Sequence, residues 1–164
     1  MRTLMNRLQI NNYNIAHKMA LEHYQLEIGQ DLFTAFPMEV LEESLRNPRK
    51  KPLVITADND VMGFLVLDSS EDVQIYTSNP KGLLLRAFSI DSRFQGKGYG
   101  LASMHLLKHF IKENFSEYEE LVFGVNHLNE PARRLYLKAG FEETVKTVIG
   151  RRGPQYVFRW HIVK

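Results

Sequence analysis

Three glycines in alternate positions, Gly96, Gly98 and Gly100, stand among Arg93, Gln95, Lys97 and Tyr99. Glycine lets a chain turn tightly and lets a ligand approach the backbone closely. The stretch follows an apolar run, 83–90, and opens an amphipathic one near Gly98. Backbone N–H groups at such a helix start lack intrahelical partners, and with the helix dipole they favour an anion. The chemistry indicated is a phosphate or pyrophosphate cradle, with Arg93 and Lys97 adding positive charge. A plain surface turn needs one or two glycines, not three set between cations before a helix. Three nucleotide motifs do not fit. A P-loop needs Ser or Thr directly after its Lys, and Lys97 is followed by Gly98. A dinucleotide fingerprint needs a third glycine at position 101, which is Leu101, and an acid ending the next strand, whereas Glu119 and Glu120 precede it. A kinase glycine loop requires far more chain around it.

Other chemistry-bearing types are sparse. His105 and His109 lie four apart on the helix after the loop, a spacing that suits a metal pair, but no third ligand accompanies them and no metal is expected. His17 and His23 read as surface residues. Zero cysteine removes disulfides, thiolate zinc sites, iron–sulfur clusters and an acyl-cysteine intermediate.

The elements that would position these residues follow from hydrophobic period and punctuation. Residues 4–10 read as a strand. Asn11 or Asn12 caps a helix to about Tyr24, with Ile15, Ala16, Met19 and Ala20 at i, i+4. Pro37 opens a second helix that ends before Pro48. Residues 53–57 and 61–67, around the Asp58-Asn59-Asp60 turn, form a hairpin. Residues 68–82 read as a loop, with a strand extension over Val73–Tyr76 as the alternative, and 83–90 as a central strand buried on both faces. A helix follows over 98–115 with Met104, Leu107, Ile111 and Phe115 as its core stripe. Then come strand 121–125, helix 129–139 stopped by Gly140, and strands 141–149 and 155–162. The order β-α-α-β-β-β-α-β-α-β-β places a right-handed parallel crossover at 83–125 between antiparallel flanks.

The chain has 164 residues, 44% hydrophobic and 24% charged, with a formal charge of +2. Roughly 70% of the unfolded surface is buried at this size, so one core and one domain, 1–164, are expected. The small positive charge does not indicate nucleic acid. The basic runs Arg46–Lys51 and Arg151-Arg152 are short and lack interleaved aromatics. No apolar run approaches about 18 residues and no signal-peptide h-region stands at the start, so a cytoplasmic protein without a membrane partner is expected.

The string Arg93-Phe94-Gln95-Gly96-Lys97-Gly98 is similar to the Arg/Gln-x-x-Gly-x-Gly/Ala acetyl-CoA signature of the GNAT superfamily of N-acetyltransferases. A second block, Asn129-Glu130-Pro131-Ala132-Arg133-Arg134-Leu135-Tyr136-Leu137-Lys138-Ala139-Gly140-Phe141, resembles that family's Asn-x-x-Ala-x-x-Leu-Tyr-x-x-x-Gly-Phe helix. The blocks stand about 35 residues apart and in the family's order. The stretch Arg86 to Gly98 further resembles bacterial spermidine/spermine acetyltransferases. The resemblance covers roughly 4–162. It implies an α/β (α+β) fold with a mixed, mostly antiparallel sheet of about seven strands, a splayed central parallel pair and about four helices. Acceptor-side helices would span about 11–47, and an acetyl-CoA core about 83–141.

The resemblance also implies roles. Backbone groups of Phe88, Ser89 and Ile90 would hold the pantetheine arm and stabilise an oxyanion. Arg93, Gln95, Gly96, Lys97, Gly98, Tyr99 and Gly100 would meet the cofactor's phosphates, and Asn129 would cap its helix and meet the cofactor. Tyr136 would be the general acid, protonated at neutral pH and able to protonate a leaving thiolate. It also falls on the stripe Ala132, Leu135, Tyr136, Ala139, a position that suits a core residue. The strand before the loop carries Arg86 where many members have a Glu, so no carboxylate base is assigned. Around the first helices Glu22, Glu27 and Asp31 accompany Tyr24, Phe33 and Phe36, as do Glu39, Glu42 and Glu43. Such acids would attract a cationic small-molecule amine such as a polyamine; equally, they are the solvated faces of two helices. The alternatives are a peptide or protein N-acetyltransferase and a non-catalytic coenzyme A sensor. Dimers are common in the family, so a homodimer is an expectation.

Overall fold

A computed structural model describes residues 7–162. Seven strands form one sheet in the order β1-β2-β3-β4-β5-β7-β6: β1 (Leu8–Asn12), β2 (Lys50–Ala57), β3 (Asp60–Asp68), β4 (Gly82–Ile90), β5 (Glu120–Asn126), β6 (Glu142–Gly150) and β7 (Gly153–His161). Every pairing is antiparallel except β4 with β5. The helices are α1 (Lys18–Glu22), α2 (Pro37–Arg46), α3 (Tyr99–Asn114) and α4 (Glu130–Lys138). This is the mixed sheet, parallel central pair and four-helix complement expected for a GNAT-like fold.

Alternation along the strands sends apolar side chains to both faces. On one face α3 supplies Met104, Leu107 and Ile111, and α4 supplies Tyr136 and Ala139, against Leu83, Leu121, Phe123 and Phe158. The other face is covered by Leu21 and Tyr24 of the α1 region and Leu41 of α2, packed on Val54, Phe64 and Val66. Both faces are needed to shield β3, whose residues 61–68 are all buried.

The N-terminal region differs from expectation. β1 runs to Asn12, so Asn11 bonds Thr56 instead of capping a helix. Residues 4–6 of the expected strand lie outside the described residues. Asn14 is the cap, accepting from Ala16 N–H while the His17 ring accepts from Asn14 N–H, and it opens a short 3-10 turn that leads into α1. Ile15 and Met19, expected inward, are 77% and 73% exposed. The i, i+4 pattern belongs to a helix too short to present a full face, and Leu21 and Tyr24 make the contact with the sheet instead. Val73–Tyr76 is no strand: Glu71–Ile75 is a 3-10 helix capped by Ser70. β4 is not buried throughout, because Arg86 is exposed and Ala87 and Phe88 are half-buried. No helix among the described residues is long and apolar enough to cross a membrane.

Candidate active site

β4 and β5 pair only at their starts, Gly82 with Glu120, Leu83 with Leu121 and Leu84 with Val122. β5 stays on β7 as far as Asn126, while β4 carries a bulge. Val66 opposes Arg86 and Phe64 opposes Ser89, so Ala87 and Phe88 together face Leu65. An extra residue bends a strand and leaves backbone groups off the ladder. Ala87 takes φ 56°, a left-handed conformation rare for a residue with a Cβ. Beyond Leu84 the two strands part, and their facing backbone edges line a cleft of about 810 Å³.

The glycine loop closes one end of this cleft. Gly96 and Gly98 have φ 74° and 82°, and Gly98 is the residue from which α3 starts. A Cβ at Gly96 would meet nothing within 4 Å, so the space beside the loop backbone is open. Gln95, Gly96, Gly98, Tyr99 and Gly100 line the cleft, as do Phe88, Ser89 and Ile90. Arg93 and Lys97 do not. The Arg93 guanidinium donates to the buried Asp91, Nε to Oδ1 at 3.0 Å and Nη2 to Oδ2 at 2.7 Å. Burial would push the Asp91 carboxyl up, but hydrogen bonds from the Arg93 side chain and N–H, and from Gln25 N–H, hold it below its ordinary value. Arg93 thus fixes the loop's shape. Lys97 is exposed.

α4 forms the opposite wall. The Asn129 side chain accepts from Ala132 N–H and caps this helix, with Pro131 in its first turn. Tyr136 lies one face inward, its ring 4.5 Å from that of Phe123, 5.9 Å from those of Phe141 and Phe158, and 6.4 Å from that of Phe88. It is a core residue by its ring and also lines the cleft. Burial pushes its phenol pKa above the usual 10. Nearby cations are mostly committed: Arg133 forks onto Glu143 from β6, and Lys108 donates to the last carbonyl of the α4 turn, Ala139 O. Lys138 reaches the cleft.

The third wall is the segment after α1. Tyr24 donates to the Ser89 carbonyl at 2.8 Å, and Ser92 N–H donates to Gln25 O. Gln95 Nε2 donates to both Ile90 O and Gln30 Oε1. Glu27, Phe33 and Thr34 then face the cleft. Of the expected acceptor-side acids, Glu27 is brought to the wall, while Glu22 and Asp31 are exposed elsewhere. Glu43 pairs with Lys50 and Glu42 lies near Arg46, as residues of a solvated helix face do. Among the described residues lining the cleft, Glu27 is the one carboxylate. Arg86, in the position where a base was sought, also lines it, with Nη1 donating to Asp68 and Asp72. His105 and His109 are exposed on α3, and no group of three metal-ligating side chains occurs among the described residues.

Sequence reasoning did not identify Gln155 of β7 or Gly124 of β5 in the lining of the cleft. The Gln155 side chain lies across Gly124, where a Cβ would come 2.3 Å from its Oε1. A glycine inside a strand, as in 120–126, is the signal that announces such a close approach.

Residues 17–141 match the model of the Acetyltransferase (GNAT) family. The chain belongs to the GNAT acetyltransferase family. It is 34% identical over 151 residues to an uncharacterized N-acetyltransferase of Bacillus subtilis (strain 168), YbbJ, covering 92% of this chain and 94% of that one. Solved structures share the fold at lower identity. The aminoglycoside acetyltransferase AAC(6')-Ib in complex with coenzyme A is 18% identical, with TM-score 0.75 over 94% of both chains. A spermidine N-acetyltransferase from Vibrio cholerae, in complex with coenzyme A and spermine, is 13% identical with TM-score 0.67, over 95% of this chain and 96% of that one. RimL, a ribosomal L7/L12 α-N-protein acetyltransferase in complex with coenzyme A, is 14% identical with TM-score 0.71, over 98% and 97%. The chain is therefore an N-acetyltransferase that takes acetyl-CoA as its acetyl donor. The cleft fits that group: left-handed glycines stand at a helix start, and two unpaired strand edges are available to a pantetheine arm.

Proposed function

We propose that the protein transfers an acetyl group directly from acetyl-CoA to a primary amine of a small cationic acceptor, a polyamine among the candidates. The observation that carries this reading is one continuous cleft, bounded by the glycine loop, by Tyr136 of α4, and by Glu27 and Phe33 of the segment after α1. Both reactants can occupy one such cleft, and proximity supplies up to about 7–11 kcal/mol of a barrier. The backbone N–H groups of Gly96, Gly98 and Gly100 hold the pyrophosphate. The Phe88–Ile90 edge holds the pantetheine amides, and the bulge at Ala87 leaves a backbone donor for the negative charge that develops on the acyl oxygen. Tyr136 keeps its proton throughout the neutral range and delivers it to the departing sulfur. No carboxylate of β4 faces the cleft, so the acceptor's proton leaves to water. Glu27, the one carboxylate on the cleft wall among the described residues, draws the cationic acceptor in.

The test is thiol release from acetyl-CoA across a panel of polyamines, amino sugars, amino acids and N-terminal peptides. Preference for a small cationic amine is expected. Fastest release with peptides would shift the assignment to a peptide or protein acceptor, and preference for anionic amines would remove the role of Glu27.

A further inference from the structure

On the face of the sheet opposite α3 and α4, hydrogen-bond donors gather where β4 and β5 part. Tyr76, beside the 3-10 turn over this face, donates its hydroxyl to Gln155 Oε1 at 3.0 Å. Burial pushes the Tyr76 phenol pKa up, so this donor persists at neutral pH. With its oxygen taken, the Gln155 amide is oriented with Oε1 over Gly124 and Nε2 toward Gly150, where added Cβ atoms would come 2.3 and 3.0 Å from them. Its Nε2 has no protein partner among the described residues, and the residue lines the cleft. Arg86 stands on the neighbouring strand edge. Asp68 and Asp72 hold its Nη1 at 3.2 and 3.0 Å, and its side chain is 44% exposed. The Nε and Nη2 hydrogens, the fork that recognises paired or planar oxygens, meet no protein acceptor among the described residues.

Arg86 and Gln155 both line the cleft, and each keeps a donor without a protein partner among the described residues, so the pair calls for an oxygen. The local charge decides which kind. Arg86 and Lys50 face three carboxylates, Asp68, Asp72 and Glu43, so the group keeps a net negative charge and opposes an incoming carboxylate. An uncharged oxygen carries no such penalty and satisfies donors that would otherwise compete for water. We infer that Arg86 and Gln155, the latter oriented by Tyr76, form an acceptor subsite for an uncharged oxygen, a hydroxyl or an amide carbonyl, close to the acceptor's amine. This rests on the acetyl-transfer reading only in taking this side of the cleft as the acceptor's. It narrows the substrate class from any small cationic amine to one that carries such an oxygen.

Matched pairs test it by calorimetry on the coenzyme A-saturated protein at about pH 6, where the paired amines are all protonated. The hydroxyl arm compares 1,3-diamino-2-propanol with 1,3-diaminopropane. The amide arm compares lysinamide with 1,5-diaminopentane, and lysine adds the carboxylate. In the wild type at least one oxygen-bearing member should bind about five-fold or more tightly than its partner, the effect of one good hydrogen bond, and lysine should bind no better than lysinamide. Tyr76→Phe and Gln155→Leu should shrink that gap toward one while coenzyme A affinity stays unchanged. Equal affinities within both pairs, a gap that persists in both variants, lysine as the tightest ligand, or no binding by any member would each overturn the subsite. The wild-type pairs decide even if a variant fails to fold. Thiol release with the same amines tests acetyl transfer separately: a binding gap without release would leave the subsite standing and remove the transfer reading.

Discussion

Tyr136 packs in the core and, in the proposed reaction, also gives the proton to the departing sulfur. Its ring is closed in by Phe88, Phe123, Phe141 and Phe158, and the same side chain borders the cleft. Tyr136→Phe retains the ring contacts, so stability should change little. General acids contribute roughly 10²–10⁴-fold, and kcat should fall on that scale. The sign of the pH dependence follows from its environment. Burial disfavours the phenolate and raises the pKa, so the acid form persists above pH 10. The wild-type rate should therefore climb as the acceptor amine loses its proton, with no descending limb from Tyr136 below about pH 10. A descending limb near pH 8 that disappears in Tyr136→Phe would contradict this placement. Gly98 is constrained differently. At φ 82° a β-branched side chain is strained, and it would also crowd the loop proposed to hold the pyrophosphate. Gly98→Val should raise the acetyl-CoA KM at least ten-fold; an unchanged KM would separate the loop from the cofactor. That the loop glycines and Tyr136 share one cleft was legible because motif spacing encodes it. Arg93 was not placed by the same reading: sequence shows a cation near a phosphate site, and only the fold reveals the buried Asp91 that engages it.

At the scale of elements, the segment from Tyr24 to Thr34 is tied to the end of β4 and the glycine loop by named bonds. Tyr24 meets Ser89, Gln25 meets Asp91 and Ser92, and Gln30 meets Gln95. Gln95 also holds Ile90 O, so one amide joins the glycine loop, the end of β4 and the segment after α1. Gln30→Ala cuts the outermost tie and leaves the loop's own bond to Ile90 intact. Acceptor KM should rise several-fold, the effect of losing a hydrogen bond of about 1 kcal/mol, while acetyl-CoA KM moves less than two-fold. Steady-state kinetics with both substrates varied would show this, and equal changes in the two constants would mean that the tie does not orient the acceptor wall. This segment is also where sequence reading was weakest. The long α3 and α4 announce themselves by stripes of Met104, Leu107 and Ile111, and of Tyr136 and Ala139. α1 has five residues, and Met19 on it and Ile15 in the turn before it are both exposed, so the period there carries little about which face packs. Tertiary bonds made by Tyr24 and Gln25, far off in sequence, decide its course.

Across the whole molecule, the parting of β4 from β5 divides the sheet into β1–β4 and β5–β7, joined along that seam by three register pairs. The sequence order made the parallel pair legible, because a strand, a helix and a strand in succession imply a crossover. The depth of the parting was not, since it depends on the bulge at Ala87, which no glycine or proline marks. The seam has a thermodynamic consequence. A pantetheine arm lying between the strands would supply partners to both edges and bind only the folded chain. A ligand at 100 times its Kd stabilises by about 2.7 kcal/mol, which for a domain of this size raises Tm by roughly 5–11 °C. Acetyl-CoA should give that rise. Hydrogen exchange adds the location: amides of 85–90 and of 123–126 should slow together on binding, as one unit across the seam, while those of β1 and β2 follow only global stability. A Tm rise with protection confined to the glycine loop would mean that the nucleotide end binds without the arm bridging the strands, and would remove the Phe88–Ile90 edge from the site.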